Sequence, residues 1–163
     1  MQDNLTAHEI SEIVRIYKPF VDGITNWQLF VKNIEPKQTG CEPVYEVDNP
    51  LQRITESVAL ADMRDIRWAQ PHYHANGEVE IYFIVHGMGR VVVGNEIIPV
   101  KAGSVVVTPS ETAHYALPDV SNGLVLIVVN TPPFNLSNNI DVSETDTNVQ
   151  YDHALFTRLT RSI

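Results

Sequence analysis

From residue 26 to residue 130 the chain is written as short apolar runs, rich in Val, Ile, Tyr and Phe, each closed by a turn signal. Candidate strands fall at 26–33, 53–62, 67–74, 79–86, 89–94, 96–100, 104–108, 113–117 and 124–130. Asn76-Gly77, Gly94-Asn95, Lys101-Ala102-Gly103 and the stretch Pro118 to Gly123 separate them. Many short strands at such spacing, with no interleaved helices, select an antiparallel sandwich or barrel over alternating βα units. The 163 residues suit one domain, 1–163, with its barrel core at about 50–130.

One helix stands outside this pattern. Thr6 and Glu9 form a T-x-x-E capping box, and Ile10, Ile13, Val14 and Tyr17 fall on a single stripe. The expected helix is 6–18, stopped by Pro19 and packed against the outside of the fold or a partner subunit. Residues 35–50 carry three prolines and read as a long loop over a barrel mouth. Residues 131–149 read as an extended polar tail, the first part of a C-terminal segment 131–163 that ends in a short helix.

The net charge of −9 repels phosphate backbones, which argues against a nucleic-acid partner. No apolar run is long enough to span a membrane as a helix. The N-terminal text has no secretory pattern, and Cys41 is the only cysteine, so no internal disulfide forms; a cytoplasmic location is the expectation.

Residues 71–89 read PHYHANGEVEIYFIVHGMG. Alternate residues of a strand share a face, so His72 and His74 point the same way, and so do Glu78 and Glu80. A two-residue turn at Asn76-Gly77 would set the carboxylates away from the imidazoles. A three-residue turn would set His74 opposite Glu78 and His72 opposite Glu80. A chain crossing between two facing sheets would also let them meet. Local rules leave the three open. Imidazole and carboxylate together suit Fe, Mn, Ni, Co or Zn, and His114, opening a distant strand after a proline turn, is the candidate third histidine.

These residues resemble the cupins. The first cupin motif runs glycine, five residues, His-X-His, three or four residues, Glu, six residues, glycine; His72, His74, Glu80 and Gly87 follow it. Gly103, Pro109 and His114 follow the second motif at the family spacing, and fifteen residues separate the two blocks. The sequence departs from the pattern in having Ile66 for the leading glycine, five residues between His74 and Glu80, Glu111 for a glycine and Pro118 for an asparagine. Glu78 keeps the spacing to His74 but not that to the glycine, so it is the alternative ligand.

The resemblance implies an all-β jelly-roll barrel with an N-terminal α-helix, and a homodimer. It implies a divalent transition metal (Fe, Mn, Ni or Zn) held by His72, His74, Glu80 and His114, with two of six coordination positions open. It implies an enzyme acting on a small oxygen-rich substrate by dioxygenation or by Lewis-acid isomerisation or lyase chemistry, the alternative being a non-catalytic small-ligand module. One cupin subgroup with a long interval before its glutamate acts on sugar phosphates, but no phosphate motif accompanies it here. Glu78 is expected on the solvated rim, Glu111 in a solvated loop (the alternative being a general base projecting into the mouth), His86 at an exposed turn, His8 and His153 on the surface, and Trp68, Tyr73, Tyr82 and Tyr115 in the core or lining a pocket.

Overall fold

The computed structural model describes residues 5–38, 42–142 and 149–161. Cys41 and residues 143–148 of the expected tail lie outside the described residues. Helix α1 (Ala7–Asp22) begins at the predicted capping box, with Glu9 N bonded to Thr6 Oγ1 at 3.2 Å and Thr6 N to Glu9 Oε2 at 2.7 Å. It does not stop at Pro19. Proline forfeits one backbone bond, but Val21 still reaches the core and the Gly23 N–H bonds Pro19 O at 3.2 Å, so another turn is retained. Helix α2 (Trp27–Phe30) occupies the first stretch expected as a strand. Asn26 caps it through Gln28 N and Leu29 N, turning an apolar run into a helical turn that packs on α1.

The strands are β1 (Lys37–Gln38), β2 (Pro43–Val47), β3 (Ser57–Asp62), β4 (His72–His74), β5 (Val79–Val93), β6 (Glu96–Lys101), β7 (Val105–Thr108), β8 (His114–Pro118), β9 (Leu124–Thr131) and β10 (Asn139–Asp141). All pair antiparallel, in the order β1-β2-β3-β9-β5-β8-β4-β10, with β6 and β7 also on β5. The sheet curls into a half-barrel with α1 on its outside. Helix α3 (His153–Thr160) is the expected C-terminal helix. Residues 35–50, expected as loop, contribute β1 and β2. The expected tail contributes β10 and a 3-10 turn, Leu136–Asn138.

Strand β5 joins the two expected strands 79–86 and 89–94 into one and serves both walls. Its first half pairs with β9 and β7, its second half with β8 and β6. A register shift at Ile84/His86 bends it. The bend also switches parity. Before it, Glu80, Tyr82 and Ile84 face inward; after it, Val91 and Val93 join the same interior cluster. Gly87 is required at this corner: its φ is 80°, and an added Cβ would lie 2.0 Å from Gly123 O. The opposite face of the first wall, with Leu60, Ile81, Phe83 and Ile127, packs on Ile13, Tyr17 and Val21 of α1. Each such buried side chain contributes about 1.5–3 kcal/mol relative to exposure. The outer face of the second wall packs Tyr115 and Leu117 on Leu155 and Leu159 of α3.

Candidate metal centre

Four side chains from three strands converge inside the half-barrel. His72 and His74 come from β4, Glu80 from the head of β5, and His114 from the start of β8. Asn76 and Gly77 both have positive φ (58° and 76°), the geometry of a tight primed turn. That turn does not close a hairpin. It carries the chain from β4 in one wall to β5 in the other, so imidazoles and carboxylate meet across the interior. His72 and His114 are register partners on adjacent strands. Glu80 lies between Thr108 and Asn130 in register on its two neighbours.

One nitrogen of each histidine faces the centre. His72 Nδ1 sits 2.8 Å from Gln70 O, and His114 Nδ1 2.8 Å from Thr112 O. A ring that donates its Nδ1–H to a carbonyl presents a lone pair at Nε2. His114 Nε2, His74 Nε2 and His72 Nε2 lie 3.1, 3.5 and 4.0 Å from Glu80 Oε2. One ligand atom from each of the four lies within 4.8 Å of all the others. An ion with bonds of about 2.1 Å holds opposed ligands about 4.2 Å apart, so small side-chain movements suffice to close on it. His74, Glu80 and His114 are buried and His72 nearly so. His74 Nε2 is buried with no hydrogen-bond partner, an arrangement that suits a ligand atom. The cluster can therefore hold a metal ion.

Glu78 is not on the rim. It is fully buried and anchored by residues distant in sequence. Asn130 Nδ2 donates to its Oε1 at 3.0 Å, Asn138 Nδ2 and Asn135 N to its Oε2 at 3.1 and 3.4 Å. His74 Nδ1 stands 3.2 Å from Oε1, inside ion-pair distance though out of line for a hydrogen bond. Glu80 thus faces all three imidazoles, and Glu78 backs His74 from behind. Asn130 and Asn138 escaped the sequence reading. The available signal was Asn130 continuing the inward parity of Leu126 and Val128, a polar group at the end of an apolar row.

The charge pattern follows from this enclosure. Burial and the neighbouring imidazoles push His72 down to about 3. Burial pulls His74 down too, but the Glu80 and Glu78 carboxylates outweigh it and raise it to about 10. Burial raises Glu80, but His74 and His114 outweigh it and hold it well below the usual carboxylate range. Burial, then Glu80, pushes the Tyr82 hydroxyl far above its usual value, so it keeps its proton. Two buried carboxylates here call for positive charge. A proton on His74 supplies it in the metal-free protein.

The cluster opens into a cavity of about 510 Å³. Val44, Met63, Leu126, Val128 and Phe134 form its apolar wall, and Tyr82 and Asn130 face it beside Glu80. Glu111 and His86 are exposed, as expected, and so is His8, while His153 is half-buried against Thr157. Tyr73 and Tyr115 are core, with Trp68 packed beside Tyr115.

Residues 67–129 match the family model described as Cupin domain. Among solved structures, a variant of Streptomyces PAC13 with uridine superposes with a TM-score of 0.58 at 16% identity, over 69% of this chain and 88% of that one. A protein from Planctomyces limnophilus gives 0.57 at 17% identity, over 68% and 91%. KdgF from Halomonas sp. gives 0.51 at 18% identity, over 58% and 81%. Pac13 is described as a unique nucleoside dehydratase. No curated protein matches the chain in sequence. No helix among the described residues is long and apolar enough to cross a membrane.

Proposed function

Because residues 67–129 form a cupin domain, we propose that the chain is a metal-dependent enzyme that converts a small oxygen-rich molecule inside its half-barrel. His72, His74, Glu80 and His114 would hold Fe, Mn, Ni or Zn. One observation carries this reading: three imidazole nitrogens and a carboxylate converge at the floor of a cavity, and the buried Nε2 of His74 has no other partner. When bound, such an ion supplies Lewis-acid polarisation of substrate oxygens, or one-electron chemistry with dioxygen where the metal is redox-active.

The chain's own groups do the rest. Backbone carbonyls of Gln70 and Thr112 hold two rings in the tautomer that presents Nε2. Glu78 fixes the third ring from behind. Tyr82 retains a proton it can donate beside Glu80, and the aliphatic wall excludes water around the reacting oxygens. Of the two chemistries, we favour Lewis-acid isomerisation or lyase chemistry, since the Tyr82 hydroxyl faces the cavity beside Glu80, where it can hydrogen-bond a substrate oxygen. A related fold holding uridine in the Streptomyces protein supports a polyoxygenated occupant.

The test is elemental analysis of protein purified without added metal, followed by reloading with each of the four metals. Each form is assayed for dioxygen uptake and, by NMR, for isomerisation or dehydration of hydroxycarbonyl compounds and vicinal diols. Turnover that disappears in His114→Ala is expected. A full complement of metal in His114→Ala would overturn the shared site. Tight ligand retention without turnover in every loaded form would favour the non-catalytic module.

A further inference from the structure

Asn130 is a polar residue at the end of an apolar row. On β9 it follows Leu126 and Val128 on the face that lines the cavity, and it is only 4% exposed. Backbone pairing sets it beside Glu80, its register partner on β5. Such partners carry their Cβ atoms about 4.5–5.5 Å apart, so their side chains meet. Asn130 Nδ2 lies 3.0 Å from Glu78 Oε1 and 3.5 Å from Glu80 Oε1. A side-chain NH2 has two hydrogens and carries no charge. Asn130 therefore has one hydrogen for each of the two buried carboxylates at the head of β5, the closer contact going to Glu78 and the longer to Glu80.

The two oxygens of Glu80 have different surroundings. Oε2 is the one that the Nε2 atoms of His114, His74 and His72 approach, at 3.1, 3.5 and 4.0 Å. Oε1 is the one turned to Asn130. A carboxylate binds an ion through one oxygen or through both. Three imidazoles and a two-oxygen Glu80 would leave an octahedral ion one open position; three imidazoles and a single oxygen leave it two. A donor on Oε1 favours the second arrangement.

We propose that Asn130 is a positioning residue that keeps Glu80 a one-oxygen ligand, so that two positions on the ion stay open to a molecule chelating through two oxygens. This rests on the metal-centred reading above and deepens it: it names the residue that sets the number of open positions and the class of molecule that fills them.

The visible spectrum of cobalt(II) reports how many ligands surround it. Wild type and Asn130→Leu are therefore loaded with cobalt and titrated with two anionic probes, acetohydroxamate, which chelates through two oxygens, and azide, which takes one position. Wild type is expected to bind acetohydroxamate more tightly than azide. In Asn130→Leu the second oxygen of Glu80 is free to turn onto the ion. The cobalt band should then change before any probe is added, and affinity for acetohydroxamate should fall at least about tenfold while that for azide changes little. Asn138→Ala removes a donor from Glu78 and none from Glu80, so it should leave the ratio of the two affinities as in wild type. A wild-type spectrum and ratio in Asn130→Leu overturns the proposal, and so does equal weakening of both probes, or a ratio shifted as far by Asn138→Ala. If Asn130→Leu fails to fold or to hold cobalt, a crystal structure of the cobalt-loaded wild type decides. Glu80 Oε2 on the ion with Oε1 on Asn130 Nδ2 is expected; both oxygens on the ion overturns the proposal while leaving the metal centre standing. Failure of the wild type to bind cobalt overturns the metal-centred reading, and this proposal falls with it.

Discussion

Replacing Glu78 by Gln changes one atom of the buried carboxylate and reverses its hydrogen-bonding logic. Three hydrogen bonds reach its two oxygens: Asn130 Nδ2 donates to Oε1, and Asn138 Nδ2 and Asn135 N donate to Oε2. The amide offers one oxygen and one NH2. Whichever way it turns, at least one of these donors faces another donor. A buried donor left without an acceptor costs about 1–3 kcal/mol. For a chain of this length each kcal/mol moves Tm by about 2–4 °C, so metal-free Glu78→Gln should melt at least about 2 °C below wild type. The amide also removes the carboxylate that stands 3.2 Å from His74 Nδ1 and favours a proton there, so the neutral ring is no longer kept in the tautomer that offers Nε2 to an ion, and metal affinity should fall about 10–100-fold. Differential scanning calorimetry of stripped protein reads the first effect, and competition with a chromophoric chelator the second. A Tm within about 1 °C of wild type together with unchanged affinity would refute the idea that this carboxylate holds His74 in place.

His72→Ala, His74→Ala, Glu80→Gln and His114→Ala should each lose most bound metal with the β circular-dichroism signal intact; retention of metal by any of them, measured by elemental analysis, removes that residue from the ligand set. In stripped protein the proton on His74 stabilises the fold because its value is raised, to about 10, above the ordinary 6.5. That contribution is complete below pH 6.5 and is lost as pH rises toward 10, so Tm of the stripped form should fall over that range. Loading displaces the same proton, so calorimetric titration of metal at pH 7.5 in two buffers of different ionisation enthalpy should register proton release; heats independent of buffer would contradict it. Gly87→Ala should leave little folded protein by circular dichroism, since Gly123 O lies where the methyl must go; a well-folded Ala variant would show that this corner can relax.

The strand text, the capping box and the spacings around His72, His74, Glu80 and His114 carried the barrel and the four converging side chains. What local text could not carry was decided by distant partners. Glu78 reads as a solvated acid because the side chains that hydrogen-bond it, Asn130 and Asn138, lie 52 and 60 residues away. Asn139–Asp141 are polar and short, and they become a strand only because β4 leaves an edge for them. Trp27–Phe30 has the composition of a strand, but Asn26 caps it and α1 offers an apolar surface. Pro19 is a helix stop in isolation, and burial of Val21 overrides it.

The order of strands has a consequence for motion. The sheet is an open band whose two ends, β1-β2 and β10, both border the cavity, while β5 and β9 lie mid-band. Because β5 belongs to both walls, the walls cannot part like a hinge without breaking its ladder. The weakest part of the band is its fringe, where three-residue β10 is held by one neighbouring strand. Amide exchange should accordingly be fastest in β10 and β1, slowest in β5 and β9. And since β10 is paired directly with His72 and His74, fraying of that fringe would slacken the imidazole pair: the rim of the chamber is hung on two of its candidate metal ligands.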